Sequence, residues 1–363
     1  MGDPNLPVKL PDPPPGKSGW PWTTVSPRPR DRMASGNVWP KISIVTPCYN
    51  MGRYLEEAIR SVLMQGYPNL EYIILDGGST DDSVGILQKY SPWLSYWKSA
   101  KDKGQGEAIN KGFNHAQGDL FAWLNADDSY FPLTFTSVAQ AAEICYPTAA
   151  AIYGKTAVFD ACDNFIEKLE GERIEFREMV VECAKVYPTP SAFFRAWAVK
   201  LVGPLNNELY YTLDWDYWLR IGLLGRIEFV DCVWAKFRLY PESKTGSKST
   251  RGHLEVIQLY SQFWRRKDLP RNLLMERNVG LKNLHLKYAR RFWGDGLTNL
   301  FRREFTAALS SHLGALFDHR WWRLLPHALL GPHLASTLAK IIHPLRARHR
   351  RWLDEAPRGN ENT

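Results

Sequence analysis

No CxxC pair occurs in these 363 residues, and the five cysteines (Cys48, Cys145, Cys162, Cys183 and Cys232) are odd in number and scattered. That argues against a disulfide framework and against a structural zinc site, and makes a reducing compartment, the cytoplasm, the expectation. The opening MGDPNLPVKLPDPPPGKSG has no apolar core of a signal peptide, and Leu6 stands where a myristoylation signal needs Ser or Thr. No run of 18 apolar residues exists. The nearest, 324–345, carries Pro326, Pro332, Pro344, three histidines and Lys340, which makes a poor spanning helix. PPPGKSG lacks the first glycine of a phosphate loop and no strand precedes it. There is no internal repeat, and no zinc-finger, RNA-recognition or helix-turn-helix signal, so nucleic acid is not an expected partner.

What is present is an ordinary globular composition, 44% apolar and 23% charged, with length enough for a sizeable core and about two domains. Fifteen tryptophans suit a dense core first, and sugar stacking or a membrane interface second. A formal net charge of +8 favours an anionic partner or surface.

The chain reads in four parts. Residues 1–40, rich in Pro, Gly and Ser, read as an extended arm. From Lys41 short β-rich runs alternate with helical spacing: strands at 41–46, 70–76, 94–99 and 119–124, helices over 52–65, about 81–90 and around Ala108, Ile109 and Phe113. That alternation predicts an α/β fold, a mainly parallel sheet with helices on both faces, over 41–250. Residues 150–250 are more mixed: a strand or hairpin, a strand entering a helix, the helix LDWDYWLRIGLLG, a late strand and the loop PESKTGSKST. A basic, aromatic, helical region follows over 251–353, with about 19 Lys and Arg against about 6 Asp and Glu, and a polar tail over 354–363. Its interleaved Arg and Trp/Phe would suit an amphipathic helix on anionic lipid, or a cap with solvated arginines.

In a sheet of this kind ligands bind beyond the C-terminal strand ends. The motifs DGGSTDD and NADD fall there. Gly77 and Gly78 allow a close backbone approach, and Asp81 and Asp82 read as a helix start. Asp127 and Asp128, closing a buried strand, offer hard oxygen ligands of the kind Mg²⁺ or Mn²⁺ takes alongside phosphate, or else a helix cap.

Five motifs in order, ISIVTPCYN, EYIILDGGSTDDS, DKGQGEAINKG, GDLFAWLNADD, and LDWDYWLR with FRLYPESKT, resemble family 2 glycosyltransferases over about 41–245. The resemblance implies a GT-A fold, Rossmann-like, and an inverting, metal-assisted transfer from a nucleoside-diphosphate sugar, a UDP-sugar by preference, to a hydroxyl of a glycan or lipid-linked acceptor. Work of that kind belongs to polysaccharide and cell-envelope biosynthesis, and it suits peripheral attachment at the inner face of the cytoplasmic membrane. It further implies that Thr46, Pro47 and Tyr49 border the base, that Asp76 accepts from a base ring N–H, with Gly77 beside it, and that Asp102, Gly104 and Gln105 edge the nucleotide-sugar. NADD looks like the family's DxD-type motif with Asn125 in the leading place, leaving Asp127 and Asp128 for Mn²⁺ or Mg²⁺. Aligning Trp218-Leu219-Arg220 to the family run puts Asp214 on the catalytic base, ahead of Asp216. Tyr240 stands where many relatives carry a metal-ligating His, and no His occurs between His115 and His253. Ser243, Lys244 and Thr245 could then bear more of the diphosphate charge. The Asn125 and Tyr240 departures also allow the alternative of a catalytically silent nucleotide-sugar-binding scaffold.

Overall fold

A computed structural model describes residues 10–311 apart from 146, 147, 184 and 248, together with 325. The Arg/Trp segments expected at 319–324 and 343–352 and the 354–363 tail lie outside the described residues.

Strand β1 (Ile42–Cys48) is buried at every position, as a central strand covered on both faces must be. Its parallel neighbours are β2 (Leu70–Asp76) and β4 (Leu120–Trp123), and β3 (Tyr96–Ser99) extends the sheet beyond β2. The crossovers are α1 (Gly52–Leu63), α2 (Ser83–Tyr90) and α3 (Gln105–His115). Cys48 pairs with Asp76 and Asp76 with Ser99, so β1, β2 and β3 end level. Trp123 pairs with Val45, and Leu124 still donates its N–H to the Val45 carbonyl at 3.0 Å. The Asn125–Asp128 segment therefore leaves the sheet beside the end of β1. One rim gathers all four strand exits.

After β4 come β5 (Ser129–Tyr130), α4 (Thr134–Ile144), β6 (Ala149–Phe159), β7 (Phe165–Glu170), β8 (Ala192–Arg195), α5 (Ala196–Val202), α6 (Leu213–Leu224) and β9 (Arg226–Arg238). The sheet runs β3-β2-β1-β4-β8-β6-β9-β5, with β7 paired to β6. The β3-β2-β1-β4 half is parallel; β8 then enters antiparallel to β4, so the whole sheet is mixed. The 150–160 run resolves as β6 of a hairpin with β7. Side chains at 0% exposure, among them Ile42, Leu55, Ile59, Ile74 and Leu120, close the core between β1/β2/β4 and α1.

Residues 10–40 contain no helix or strand. They are nonetheless fastened to α1 by Arg60, whose guanidinium donates to the Pro11, Pro21 and Trp22 carbonyls at 2.9, 3.3 and 2.5 Å and to the Tyr90 hydroxyl at 2.7 Å. A buried guanidinium needs such a full set of acceptors, since each unsatisfied N–H would cost about 1–3 kcal/mol.

The chain divides into two compact units, Met1–Met179 with Ala184–Leu259, and Val180–Cys183 with Tyr260–Thr363. The division falls inside α7 (Thr250–Phe263). In the second unit α8 (Arg271–Gly294) packs on α9 (Thr298–Ser311). There His285 Nδ1 lies 2.6 Å from Glu304 Oε2, and Asn283 and Lys287 donate to the Val181 and Cys183 carbonyls. Among the described residues no helix is long and apolar enough to cross a membrane.

Candidate active site

A cleft of about 550 Å³ opens at the rim where β1, β2, β3 and β4 end. That size suits a small organic ligand of several rings. The turn after β2 forms its floor. Asp76, 2% exposed, accepts from the Gly78 and Ser79 N–H groups (3.1 and 2.9 Å) and from the Ser79 and Ser99 hydroxyls (2.5 and 2.6 Å). Its carboxylate therefore holds the turn from beneath and does not line the cleft, where Gly77 and Gly78 do. The direct contact to a base expected of Asp76 is not what this placement offers. Gly78 has φ +84°, and a Cβ at Gly77 would come within 3.1 Å of both Asp102 carboxylate oxygens. Absence of a side chain at Gly77 is thus what lets the Asp102 carboxylate stand at the cleft wall. Asp81 accepts from the Ser83 and Gly52 N–H groups at 3.0 and 2.8 Å, tying the starts of α2 and α1 together.

Of the other predicted residues, Pro47, Tyr49, Gln105, Asn125 and Asp127 line the cleft. Thr46 is fully buried, 3.0 Å from the Tyr72 hydroxyl, and supports the wall from behind.

The NADD segment sorts its two acids. Asp127 lines the cleft, and the Tyr240 hydroxyl donates to its Oδ2 at 2.8 Å. Asp128 is 2% exposed and faces inward: Oδ1 accepts from the Arg238 N–H at 3.0 Å and Oδ2 from the Asn125 amide at 3.2 Å. The two therefore do not form the paired clamp expected from sequence; of the pair, only Asp127 lines the cleft. Asn125 works at both ends, accepting from Gln105 at 2.6 Å while donating to Asp128. An aspartate there could not donate and would meet Asp128 as a like charge.

Burial raises the pKa of Asp127, against the Tyr240 hydroxyl and the Arg238 and Lys244 charges. Burial, then the neighbouring Asp127 charge, drives Asp128 well above the usual carboxylate range. Tyr240 is raised by burial and by Asp127. A bound cation at the cleft-facing Asp127 would relieve the repulsion between it and its buried neighbour. No group of three or more His, Cys, Asp or Glu that could hold a metal exists among the described residues. One carboxylate is still sufficient where substrate phosphates complete the shell, the usual arrangement for Mg²⁺.

Asp214, which is not among the residues lining the cleft, stands in the first turn of α6 and is partly buried. Its Oδ1 accepts from the Trp215 N–H at 2.9 Å and its Oδ2 from the Thr189 hydroxyl at 3.2 Å. Burial raises its pKa, against those two hydrogen bonds. Asp216 is ion-paired to Arg220 at 2.8 Å, which commits it to α6 itself. Trp218 is fully buried in the core, tilted against the Tyr187 and Phe194 rings.

Two residues with no role in the sequence reading organise this site. Arg238, 2% exposed, donates to the Asp127 carbonyl at 3.1 Å, pairs with Glu57 at 3.0 Å and with Asp163, and stacks 4.6 Å from the Tyr54 ring. Glu255 accepts at one oxygen from the Tyr210, Tyr211 and Thr212 N–H groups and the Thr212 hydroxyl, at 2.8–3.0 Å. It anchors the backbone entering α6 and hence Asp214. A charge ending the apolar run of β9 hinted at Arg238; nothing local marks Glu255.

The family described as Glycosyl transferase family 2 matches residues 43–200. An uncharacterized glycosyltransferase of Mycobacterium tuberculosis is 30% identical over 206 residues, 54% of this chain and 75% of that protein. One of Rickettsia conorii is 28% identical over 237 residues, 61% of this chain; the chain spans only 38% of that relative's length. Among solved structures, S. aureus TarS 1–349 with UDP-GlcNAc superposes with a TM-score of 0.58 at 18% identity, covering 80% of this chain and 88% of that one. The mannosyltransferase PcManGT of Pyrobaculum calidifontis, with GDP-Man and Mn²⁺, gives 0.55 at 17% identity, covering 86% and 83%. Both share the mixed sheet with flanking helices.

Proposed function

The chain belongs to glycosyl transferase family 2, and from that membership we propose that it moves a sugar from a nucleoside-diphosphate sugar to a hydroxyl acceptor with inversion at the anomeric carbon. The observation that carries this reading is the Asp127 carboxylate lining the cleft after β4, with a second carboxylate, Asp214, in the first turn of α6 and near enough to act on the Lys244 charge. UDP-GlcNAc on TarS and GDP-Man on PcManGT support a nucleotide-sugar donor.

Pro47, Tyr49, Gly77 and Asp102 would receive the base and ribose end, and Gln105, Asn125 and Asp127 the diphosphate end. Asp127 would hold a Mn²⁺ or Mg²⁺, with the Tyr240 hydroxyl orienting its carboxylate. When bound, such an ion supplies Lewis-acid stabilisation of the diphosphate. Asp214 takes the proton of the acceptor hydroxyl as that oxygen bonds to the anomeric carbon. The bond from that carbon to the phosphate oxygen breaks, and its electron pair leaves with the diphosphate. A single displacement uses one base and inverts the centre. A raised pKa suits Asp214 to the task, because a stronger base draws the proton better. The acceptor, a glycan or a lipid-linked sugar, would enter beside α6.

Replacing Asp214 by Asn tests the assignment: transfer should fall by 10²–10⁴-fold, the contribution of a general base, with UDP or GDP affinity kept. Full transfer by that variant, or undiminished transfer in EDTA, would reject the base or the metal role respectively.

A further inference from the structure

Resting on the nucleotide-sugar reading, we infer that Lys244 is the protein's own cation for the departing diphosphate. Three cationic side chains line the cleft among the described residues: Lys101, Arg238 and Lys244. Arg238 is committed to Glu57 and Asp163. Lys101 is exposed at the Gly77–Gly78 end, its backbone N–H 3.2 Å from where a Gly78 Cβ would lie, so it stands with the base. Lys244 is the one placed at the diphosphate end.

Its ammonium rests on neutral groups. Nζ donates to Gln105 Oε1 at 2.7 Å and to the Tyr210 carbonyl at 3.2 Å, and lies 4.1 Å from the Tyr210 ring centroid. Those contacts hold a charge without neutralising it, and they can be exchanged for a phosphate oxygen at smaller cost than a salt bridge. Burial lowers the Lys244 pKa, while Asp214, Glu255 and Asp127 act to keep it charged. The ammonium thus lies within electrostatic reach of both the cleft-facing carboxylate and the base.

The turn that carries it is built onto the same site. Ser243 Oγ donates to the Tyr240 carbonyl at 2.7 Å and accepts from the Gly246 N–H at 3.0 Å, while Tyr240 itself donates to Asp127. On the opposite side the chain Lys244–Gln105–Asn125–Asp128 is continuous in hydrogen bonds. The diphosphate gains one unit of negative charge when the anomeric bond breaks. A fixed cation near that oxygen stabilises the charge developing in the transition state more than the ground state, which is the condition for catalysis.

The test compares wild type with Lys244→Met and Lys244→Arg in calorimetric titrations with UDP, GDP and the matching monophosphates, with Mn²⁺ and with EDTA. The expected result is a diphosphate affinity weakened tenfold or more in Lys244→Met, monophosphate affinity within twofold, and recovery of most of the loss in Lys244→Arg. Donor hydrolysis should fall about 10²–10³-fold, the range for one lost transition-state donor. A Lys244→Met diphosphate affinity equal to wild type overturns the inference, as does an equal loss for mono- and diphosphate, which would mark a merely structural role. Wild type binding neither UDP nor GDP would instead bring down the nucleotide-sugar reading on which the inference stands.

Discussion

Arg238→Met removes a guanidinium from the support of the candidate site while keeping most of the side chain's volume. Its contacts with Glu57, the Asp127 carbonyl, Asp163, the Asp160 carbonyl and the Tyr54 ring are lost, and the first three decide the cost. Glu57, 8% exposed, loses its 3.0 Å partner but keeps Lys236 at 3.0 Å and Ser129 at 3.3 Å. Stranding a buried charge outright costs about 3–5 kcal/mol, so with Lys236 still present about 2–3 kcal/mol is expected. The Asp127 carbonyl loses a charged donor, worth about 1.5–3 kcal/mol. The Asp163 carboxylate is 39% exposed and Lys236 also reaches it, so its share is negligible. A loss of about 3.5–6 kcal/mol follows, which at about 2–4 °C per kcal/mol lowers the melting temperature by roughly 7–24 °C. Scanning fluorimetry reads the shift. A double-mutant cycle with Glu57→Gln checks its cause: the double variant should be less destabilised than the sum by about 2 kcal/mol. Additivity within about 0.5 kcal/mol would refute the claim that a buried ion pair holds the Asp127 segment.

Two further predictions concern Asp214. Because burial raises its pKa, the acid limb of the pH–rate profile should lie above the ordinary carboxylate range, activity being lost as pH falls through the raised value and the base takes up a proton. Thr189→Val deletes a hydrogen bond that lowers that value, so the limb should move to still higher pH; a limb that stays put, or moves down, would contradict it. Glu255→Ala frees three backbone N–H groups before α6 and should lower kcat at least tenfold while UDP or GDP titrations stay within twofold of wild type. Equal losses in binding and turnover would show that Glu255 supports the cleft as a whole.

The parallel half of the fold was legible because each element states itself locally. The run 42–48 is mostly apolar, with only Ser43 and Thr46 polar, and its strand is buried throughout; the spacing of Leu55, Ile59 and Val62 faces α1 to the same core. The rim followed, since the ends of β2 and β4 lead straight into DGGS and NADD. The choice between Asp214 and Asp216 turned on family alignment; the structure adds only that Asp216 is ion-paired to Arg220, an i,i+4 contact within one helix. Less legible were the antiparallel entry of β8 and the two-part division of the chain, because strand pairing and unit boundaries depend on residues far apart.

By itself the amino-acid order determined which acids stand near the sheet's rim: a strand's length and the turn after it are local properties. Only the tertiary structure decided which way each acid points and what it touches. Asp76 turns inward to the N–H groups of its own turn and the Ser99 hydroxyl of β3, and Asp128 to the Arg238 N–H of β9 and the Asn125 amide, whereas Asp127 remains open to the cleft. Glu255, some forty residues from the backbone it holds, and Lys244, lodged against Gln105 and Tyr210, gain their places solely from long-range packing. Hydrogen-bond satisfaction in a buried site is a condition on the whole fold, and adjacent residues of one chemical type can meet it in opposite ways.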